Sequence, residues 1–570
     1  MQAAPHFDKA FDYAWAVHRR EIIASELTRL ACRRFLNDLY SKTLPFYFDA
    51  EAAEYACEYI ERLPHVKGEW AKRRELLALG GWQCFIVCNI FGWKHSADLR
   101  DEREDLVARA GTRRFTTAYI EVARKNGKSV LGAAIGLYMM DEDGEEGAEV
   151  YSAATTRNQA KIVFNIARLM ARKTTALPLE VRVHNINKME TASLFEALHA
   201  QGETLDGYNI HCSINDELHA WKNRDVYNTL ETATGSRLQP LMFNITTAGV
   251  NTSGICYELR TYLRRILEGT IADESFFGII YTLDRDDDWT DRKVWIKANP
   301  NLGVSVYPLD LENLCRKACE VVSQVNAFLT KRMNVWVNAA EAWMDMRKWE
   351  ACRDGEMRLE DFVGEECYDG IDLASKIDVN SKAKLFVREI DGKDHLFCFM
   401  KHWLPEAAVK EDPNAQYDGW VRSGHMMTTP GNVVDIDQIE ADTLEEANVY
   451  ALQELGVDPG HNSTQYGVHM AQEGIVVVDV RPLVLNFSEP MKWLEAYVKD
   501  GAFHHNCPVL TWMVSNVEVK RDQKDNIYPR KGAVNRKIDG VVALLIALNR
   551  LKLSQDAGAT IYDTRGVITI

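Results

Sequence analysis

Three sets of residues in this sequence have types and spacings suited to phosphate chemistry. The first is Arg124-Lys125-Asn126-Gly127-Lys128-Ser129. A run rich in β-branched and aromatic residues, Thr117 to Val122, precedes it. Val130, Leu131, Ala134, Ile135 and Leu137 follow at helical spacing. A strand, a tight turn and a helix beginning near Lys128 are predicted. Such a turn aims backbone N–H groups and the positive end of a helix at one point, which suits phosphate oxygens. Lys128 would reach the β- and γ-phosphates of a nucleotide, and the Ser129 hydroxyl would ligate Mg²⁺. The phosphate-loop pattern G-x-x-x-x-G-K-[ST] is incomplete, because Val122 stands where its first glycine falls. A plain turn before a helix reads the same way, so the assignment rests on residues downstream.

The second set supplies them. A strand predicted from Tyr208 to Asn215 ends in Asp216-Glu217, with Ile210, Cys212, Ile214 and Asp216 on one face. Acidic residues at the carboxyl end of a parallel strand lie where such sheets bind ligands. Asp216 would hold Mg²⁺ and Glu217 would orient and deprotonate an attacking water. The apolar run over 241–249 ends in Thr246-Thr247-Ala248-Gly249. Hydroxyls there can sense the γ-phosphate, although a turn serving backbone geometry looks identical. Gln83, at the start of an apolar helix after Gly80-Gly81, can read an adenine edge with its amide. Arg237 is a candidate for stabilising transition-state charge, against the plainer reading of a solvated arginine.

The third set is in the second half. Asp372 lies in a strand, with Ile371 and Leu373 on the other face. Asp458 follows VYALQELGV, read as a helix and then a strand end. Asp539 opens the apolar helix of KIDGVVALLIALNR. Three carboxylates from separate segments can hold two divalent metals about 4 Å apart and cleave phosphodiesters. A lone aspartate in so acidic a chain is usually structural, so the architecture of the three carries the reading. Asp378 is either an auxiliary ligand or a cap, and Asp369 faces the opposite side of its strand. The segment from Ser515 to Arg536 concentrates Lys520, Arg521, Lys524, Arg530, Lys531 and Arg536 near Asp539. It suits a phosphate backbone, or is a solvated loop.

The elements that must position these residues need space, and 570 residues provide for two or more domains. Strand–loop–helix units recur from Thr117 and from Ala148, which predicts a parallel α/β sheet. The second half alternates in strands, with a hairpin turning at Asp391-Gly392. Residues 1–75 read as amphipathic helices, a packing appendage with a solvated arginine face. No apolar run approaches the ~18 residues of a membrane span. The polar N-terminus carries no secretory pattern, so an intracellular protein without a membrane is expected. The twelve cysteines form no C-x-x-C pair and read as buried thiols. A net charge of −16 argues against a general nucleic-acid coat, though not against a local basic groove.

The segments ARKNGKS, AATTRNQAK, NDELHAW, TGSRLQPLMFNITTAG and WIKANPNLG (295–303) together resemble the large terminase subunit of tailed double-stranded DNA bacteriophages, of the HK97-like group. The resemblance runs from about residue 70 to the C-terminus. It implies an α/β chain with an N-terminal ASCE-type P-loop ATPase and a C-terminal ribonuclease-H-like nuclease. The expected division is a helical extension (1–70), ATPase (71–350), linker (351–366), nuclease (367–550) and tail (551–570). By resemblance ATP and Mg²⁺ serve the first site, with Arg124 contacting the nucleotide. Two Mg²⁺ or Mn²⁺ on Asp372, Asp458 and Asp539 serve the second. The trans arginine finger has no clear counterpart, and Arg224 and Arg237 remain open. The implied partners are double-stranded DNA, the portal protein, a small terminase subunit and further copies in a pentameric ring. The setting is the host cytoplasm, with docking on the procapsid portal, to which the extended tail would contribute. The rival readings are a cellular helicase or repair ATPase, which would be expected to carry further arginine motifs, and a non-catalytic assembly protein, against which the joint presence of Lys128, Asp216 and Glu217 argues.

Overall fold

A computed structural model of the chain describes residues 4–101, 103, 105–198, 207–221, 224–252, 254–337, 343–373, 378–411, 416–522, 524–531 and 536–558. The expected portal-docking end, residues 559–570, lies outside them. The chain divides into two compact units: Met1–Glu320 with Ala327–Val337, and Val321–Asn326 with Asn338–Ile570.

In the first unit, helices α1 (Pro5–His18), α2 (Glu26–Tyr40), α3 (Ala50–Glu61) and α4 (Gly81–Gly92) join one apolar core with the sheet. Helix α4 is apolar on every side because it is enclosed: every residue from Cys84 to Gly92 is buried. The sheet is built on β1 (Thr117–Glu121), β2 (Glu149–Ala153), β3 (Ser193–Ala197), β4 (Ile210–Asp216), β5 (Leu241–Thr246) and β6 (Phe276–Ile280). These six run parallel in the order β6-β1-β5-β4-β2-β3, and a hairpin, Glu180–Val181 with Asn185–Lys188, extends the β3 edge antiparallel. Helix α5 (Lys128–Asp141) lies close on this sheet. A Cβ at Gly132 would meet Ile214 at 3.0 Å, and one at Gly136 would meet Phe195 at 2.8 Å. The glycines therefore fix the helix's height over the strands.

In the second unit β7 (Glu366–Asp372), β8 (Asn380–Ile390) and β9 (Lys393–Pro405) form an antiparallel meander, and helix α6 (Ile436–Ala447) comes later in the chain. The hairpin turns on Asp391 (φ 53°) and Gly392 (φ 76°), as a two-residue primed turn requires. The next strand corrects the sequence reading. Ala451–Val457 is strand β10, parallel to β7, and not a helix. Tertiary packing decides this: Gly456 lies opposite Gly370, and a Cβ on either would run into the final helix, α7 (Asp539–Gly558). Strand β11 (Val477–Asp479) adds in parallel beyond β10. The segment expected as a linker (351–366) lies within this unit, where the Phe362 ring packs against Phe386 and Phe397. All twelve cysteines are free thiols, and all but Cys319 are buried. No helix among the described residues is long and apolar enough to cross a membrane.

One buried ion cluster anchors α1. His6 sits between Glu54, which its Nδ1 touches, and Glu61, whose Oε2 lies 2.9 Å from Nε2. Burial disfavours the imidazolium, but the hydrogen bonds and charges of the two glutamates outweigh it and raise the His6 pKa above 6.5. A raised folded-state pKa contributes stability that is complete below the unfolded value and lost as pH climbs through the folded one. The urea midpoint of the chain should therefore exceed that of His6→Gln at pH 6, and the gap should close by pH 9. A gap independent of pH would exclude this role.

Candidate active sites

The carboxyl ends of three adjacent strands, β1, β5 and β4, converge on the first site. Parallel register sets Glu121 opposite Thr246, and Asp216 opposite Ile245. The loop after β1 bends through left-handed backbone at Lys125 (φ 74°) and Gly127 (φ 82°). Val122 is buried strand-like backbone whose N–H donates to Thr246 O at 3.1 Å, so the absent glycine is not needed there. Lys128 is 6% exposed and donates to the Val122 and Ala123 carbonyls at 3.0 and 3.1 Å. Burial lowers its pKa to about 8, against the pull of Glu217 and Asp216. The Ser129 hydroxyl donates to Asp216 Oδ2 at 2.9 Å. Burial and neighbouring Glu217 raise the Asp216 pKa, while Ser129 and Lys128 restrain it.

Glu217 adopts φ 51°, uncommon for a residue with a side chain. Its carboxylate Oε2 lies 3.2 Å from His219 Nδ1. The same nitrogen lies 3.2 Å from Thr246 Oγ1 and 3.3 Å from Thr247 Oγ1. His219 thus bridges the expected water-activating carboxylate and the expected sensing threonines. Sequence reasoning passed over it, although it stands two residues past Glu217. Burial lowers its pKa, and the charges of Arg124 and Lys128 add to that, while Glu217 opposes. The Arg124 guanidinium therefore lies near this centre; its backbone N–H is tied to Lys331 O at 2.9 Å.

A second omission is the bracket that holds the loop. The wholly buried Asn126 side chain donates to Ala123 O at 3.0 Å and to Asn299 Oδ1 at 3.1 Å, and accepts from Asn301 N–H at 3.0 Å. Ser305 Oγ donates to Lys125 O at 2.6 Å. Asn301 also accepts from Trp82 Nε1 at 2.8 Å, joining the start of α4 to the bracket. Gln83, one residue on, uses its amide oxygen to accept from Gly80 N–H at 3.0 Å, capping α4. Of the arginines left open, Arg237 is not at this end of the sheet. It donates to Gly147 O and Asn209 O beside the starts of β2 and β4, so a charge-stabilising role in this site is withdrawn. Exposed Arg224 holds both oxygens of Glu258 at 2.6 Å.

In the second unit Asp372 ends β7, and Asp458 directly follows β10, whose Val457 pairs with Ile371. Asp539 begins α7, which packs on β7 and β8. Asp539 is buried, and among the described residues its Oδ2 has no hydrogen-bond partner. Lys531 Nζ lies 3.7 Å from its Oδ1. Burial raises all three carboxyl pKa values. Asp372 is lifted well above the usual range, by burial and then by the charges of Asp539 and Asp458; Lys531 opposes in part. The fourth carboxylate that raises Asp458 is Asp479, at the end of β11 opposite Val457. Its place at the end of the apolar run Ile475–Val478 is the signal that would have found it. Asp378 pairs with Lys537 at 2.5 Å and accepts from Val379 N–H at 2.8 Å. Among the described residues no three His, Cys, Asp or Glu side chains already stand as a metal-holding group. The orphaned Asp539 oxygen and the mutual repulsion of the carboxylates nonetheless fit a cation's place.

With this geometry in view, the comparisons are specific. The family model of the terminase large subunit ATPase domain matches residues 81–265, and that of the terminase large subunit endonuclease domain matches 270–555. Protein YmfN of Escherichia coli (strain K12) is 38% identical over 359 residues, 61% of this chain and 79% of that protein. The large terminase subunit of Enterobacteria phage HK97 is 27% identical over 450 residues, 76% and 86% of the two chains. The crystal structure of the HK97 bacteriophage large terminase aligns at 25% identity over 87% of this chain and 99% of that one, with a TM-score of 0.42.

The bracket makes a local prediction. Asn126→Ala strands a buried N–H and carbonyl, at a cost of about 1–3 kcal/mol. If that cost falls on the loop, nucleotide affinity should weaken about 5- to 150-fold. Titration with a fluorescent ATP analogue measures it, and an unchanged affinity would show that the bracket does not shape the loop.

Proposed function

This chain belongs to the terminase large-subunit family, with ATPase and endonuclease domains that serve phage DNA packaging, and on that premise we propose which residues run each reaction. Lys128 and the N–H groups of Arg124 to Ser129 bind the ATP phosphates, and the Arg124 side chain adds charge from the loop. Ser129 and Asp216 hold Mg²⁺, which supplies charge neutralisation at the β- and γ-oxygens. The 2.9 Å hydrogen bond between these two side chains is the observation that carries the reading. Glu217 orients the attacking water and takes its proton. His219 and Thr246-Thr247 report the state of that carboxylate and of the γ-phosphate. Gln83 faces the base from the start of α4.

In the nuclease half, Asp372, Asp458 and Asp539 hold two Mg²⁺ or Mn²⁺ ions. These would supply an activated water and a stabilised leaving oxygen for phosphodiester cleavage. Asp479 and Asp378 orient that group from its edges. Lys531 lies beside Asp539, where it would meet a DNA phosphate. The expected partners are double-stranded DNA, the portal protein, a small terminase subunit and four further copies in a ring on the portal, within the host cytoplasm.

Two substitutions separate the reactions. Glu217→Gln should lower ATP hydrolysis by about 10²–10⁴-fold, as loss of a general base does, while metal-dependent cutting of linear plasmid DNA continues. Asp372→Asn should abolish cutting and leave hydrolysis intact. ATP turnover surviving in Glu217→Gln, or cutting surviving in Asp372→Asn, would overturn the corresponding assignment.

A further inference from the structure

Strands β7 and β8 carry charge of opposite sign on their two faces. Asp372 lies on the face covered by α7, where Gly370 meets that helix. Asp369, three residues earlier, lies on the other, and there three lysines crowd around two carboxylates. Lys384 Nζ lies 2.8 Å from both Asp369 oxygens and 3.4 Å from Glu446 Oε2. Lys382 Nζ lies 2.8 Å from that same Glu446 oxygen, and Lys401 Nζ lies 2.6 Å from Glu446 Oε1. Register accounts for the crowding: Asp369 pairs with Lys384, Lys382 pairs with Lys401, and Glu446 descends from the helix Ile436–Ala447.

The charge count does not close. Lys382 and Lys384 are each 2% exposed, Asp369 is 0% and Glu446 7%. Three ammonium groups thus share two carboxylates: Lys382 and Lys384 are buried with Asp369 and Glu446, and the ammonium in excess belongs to Lys401, which reaches the surface. One residue of each sign, Arg358 and Glu360, also lines the cavity, and burial, with Arg353, lowers the His425 pKa. The titration directions agree. Against burial, the three lysines hold Glu446 down to about 2, and Asp369 raises Lys384, while burial lowers Lys382.

A cavity of about 350 Å³ opens on this cluster, lined by Lys382, Lys384, Lys401 and Glu446 together with Met357 and Phe399. Its size is at the lower end of small-molecule sites, about 300–1,000 Å³. We propose that this cavity binds a phosphate group, at a site separate from both the nucleotide loop and the nuclease carboxylates. A phosphate brings the missing negative charge and several acceptor oxygens for ammonium donors. Lys401, whose side chain is 33% exposed, is the donor free to turn from Glu446 toward it. The site reaches the nuclease through backbone alone: Lys382 adjoins Ser381, which pairs with Asp372. A free phosphate ester and a DNA backbone phosphate share this chemistry.

The test uses the full chain carrying Lys128→Ala, so that the nucleotide loop does not compete. Calorimetric titration with inorganic phosphate at fixed ionic strength should show one saturable site. Adding Lys401→Gln should weaken it at least tenfold, and Lys401→Arg should restore it. Binding of a short DNA duplex, without divalent metal, then separates the sources. If Lys401→Gln weakens the duplex as well, the occupant is a backbone phosphate; if the duplex is unaffected, it is a free ester. No saturable phosphate binding, or binding indifferent to Lys401→Gln, overturns the proposal.

Discussion

Parallel register is the constraint on which the candidate nucleotide site depends. Because β5 lies between β1 and β4, and all three end within one residue of each other, Lys128, Asp216 and Thr246 reach a common point from segments 118 residues apart at the extremes. Side chains alone could not hold them there. Lys128 and Asp216 are both buried, and each has a hydrogen-bond partner: the lysine donates to the Val122 and Ala123 carbonyls, and the aspartate accepts from Ser129. Moving β4 by one residue would turn Asp216 to the opposite face of the sheet, away from the Ser129 hydroxyl.

A second layer fixes the same strand ends from behind. Glu121, wholly buried at the end of β1, accepts from Tyr119 OH at 2.7 Å and from Trp336 Nε1 at 3.2 Å, with Arg260 Nε at 3.3 Å. Asn334 accepts from Ala248 N–H at 2.6 Å and donates to Tyr281 O at 2.6 Å. The turn after Thr246-Thr247 is thereby tied to β1, to the residue after β6 and to the segment Ala327–Val337.

What the sequence disclosed was local. Lys128-Ser129 and Asp216-Glu217 were legible because strand, turn and helix signals flank each within a few residues. The hairpin at Asp391-Gly392 was legible for the same reason. The features missed are joined through space. Asn126 gains its meaning from Asn299 and Asn301, more than 170 residues away. His219 matters through Thr246, and Asp479 through a strand pairing with Val457. The helix read into VYALQELG fails because Gly456 is not part of a helix. Instead it is a strand position emptied of side chain so that α7 can close on the sheet. Val122 was counted against the phosphate loop, yet the left-handed turns fall at Lys125 and Gly127, and a side chain at 122 is accommodated in the core.

The acidic balance of the chain is resolved locally rather than by composition. A net charge of −16 suggests poor affinity for nucleic acid. Yet in the second unit negative charge is concentrated at the proposed cation site, where burial and neighbouring carboxylates lift the pKa values of Asp372, Asp458 and Asp539. The opposite face of the same strands carries lysines in excess of carboxylates. Alternation along β7 and β8 places both signs within a few residues without mutual cancellation, because successive side chains point to opposite faces. Subtracting a cluster that would be neutralised by divalent cations leaves a less acidic surface for a polyanion to approach, so formal charge overstates the repulsion that DNA would meet.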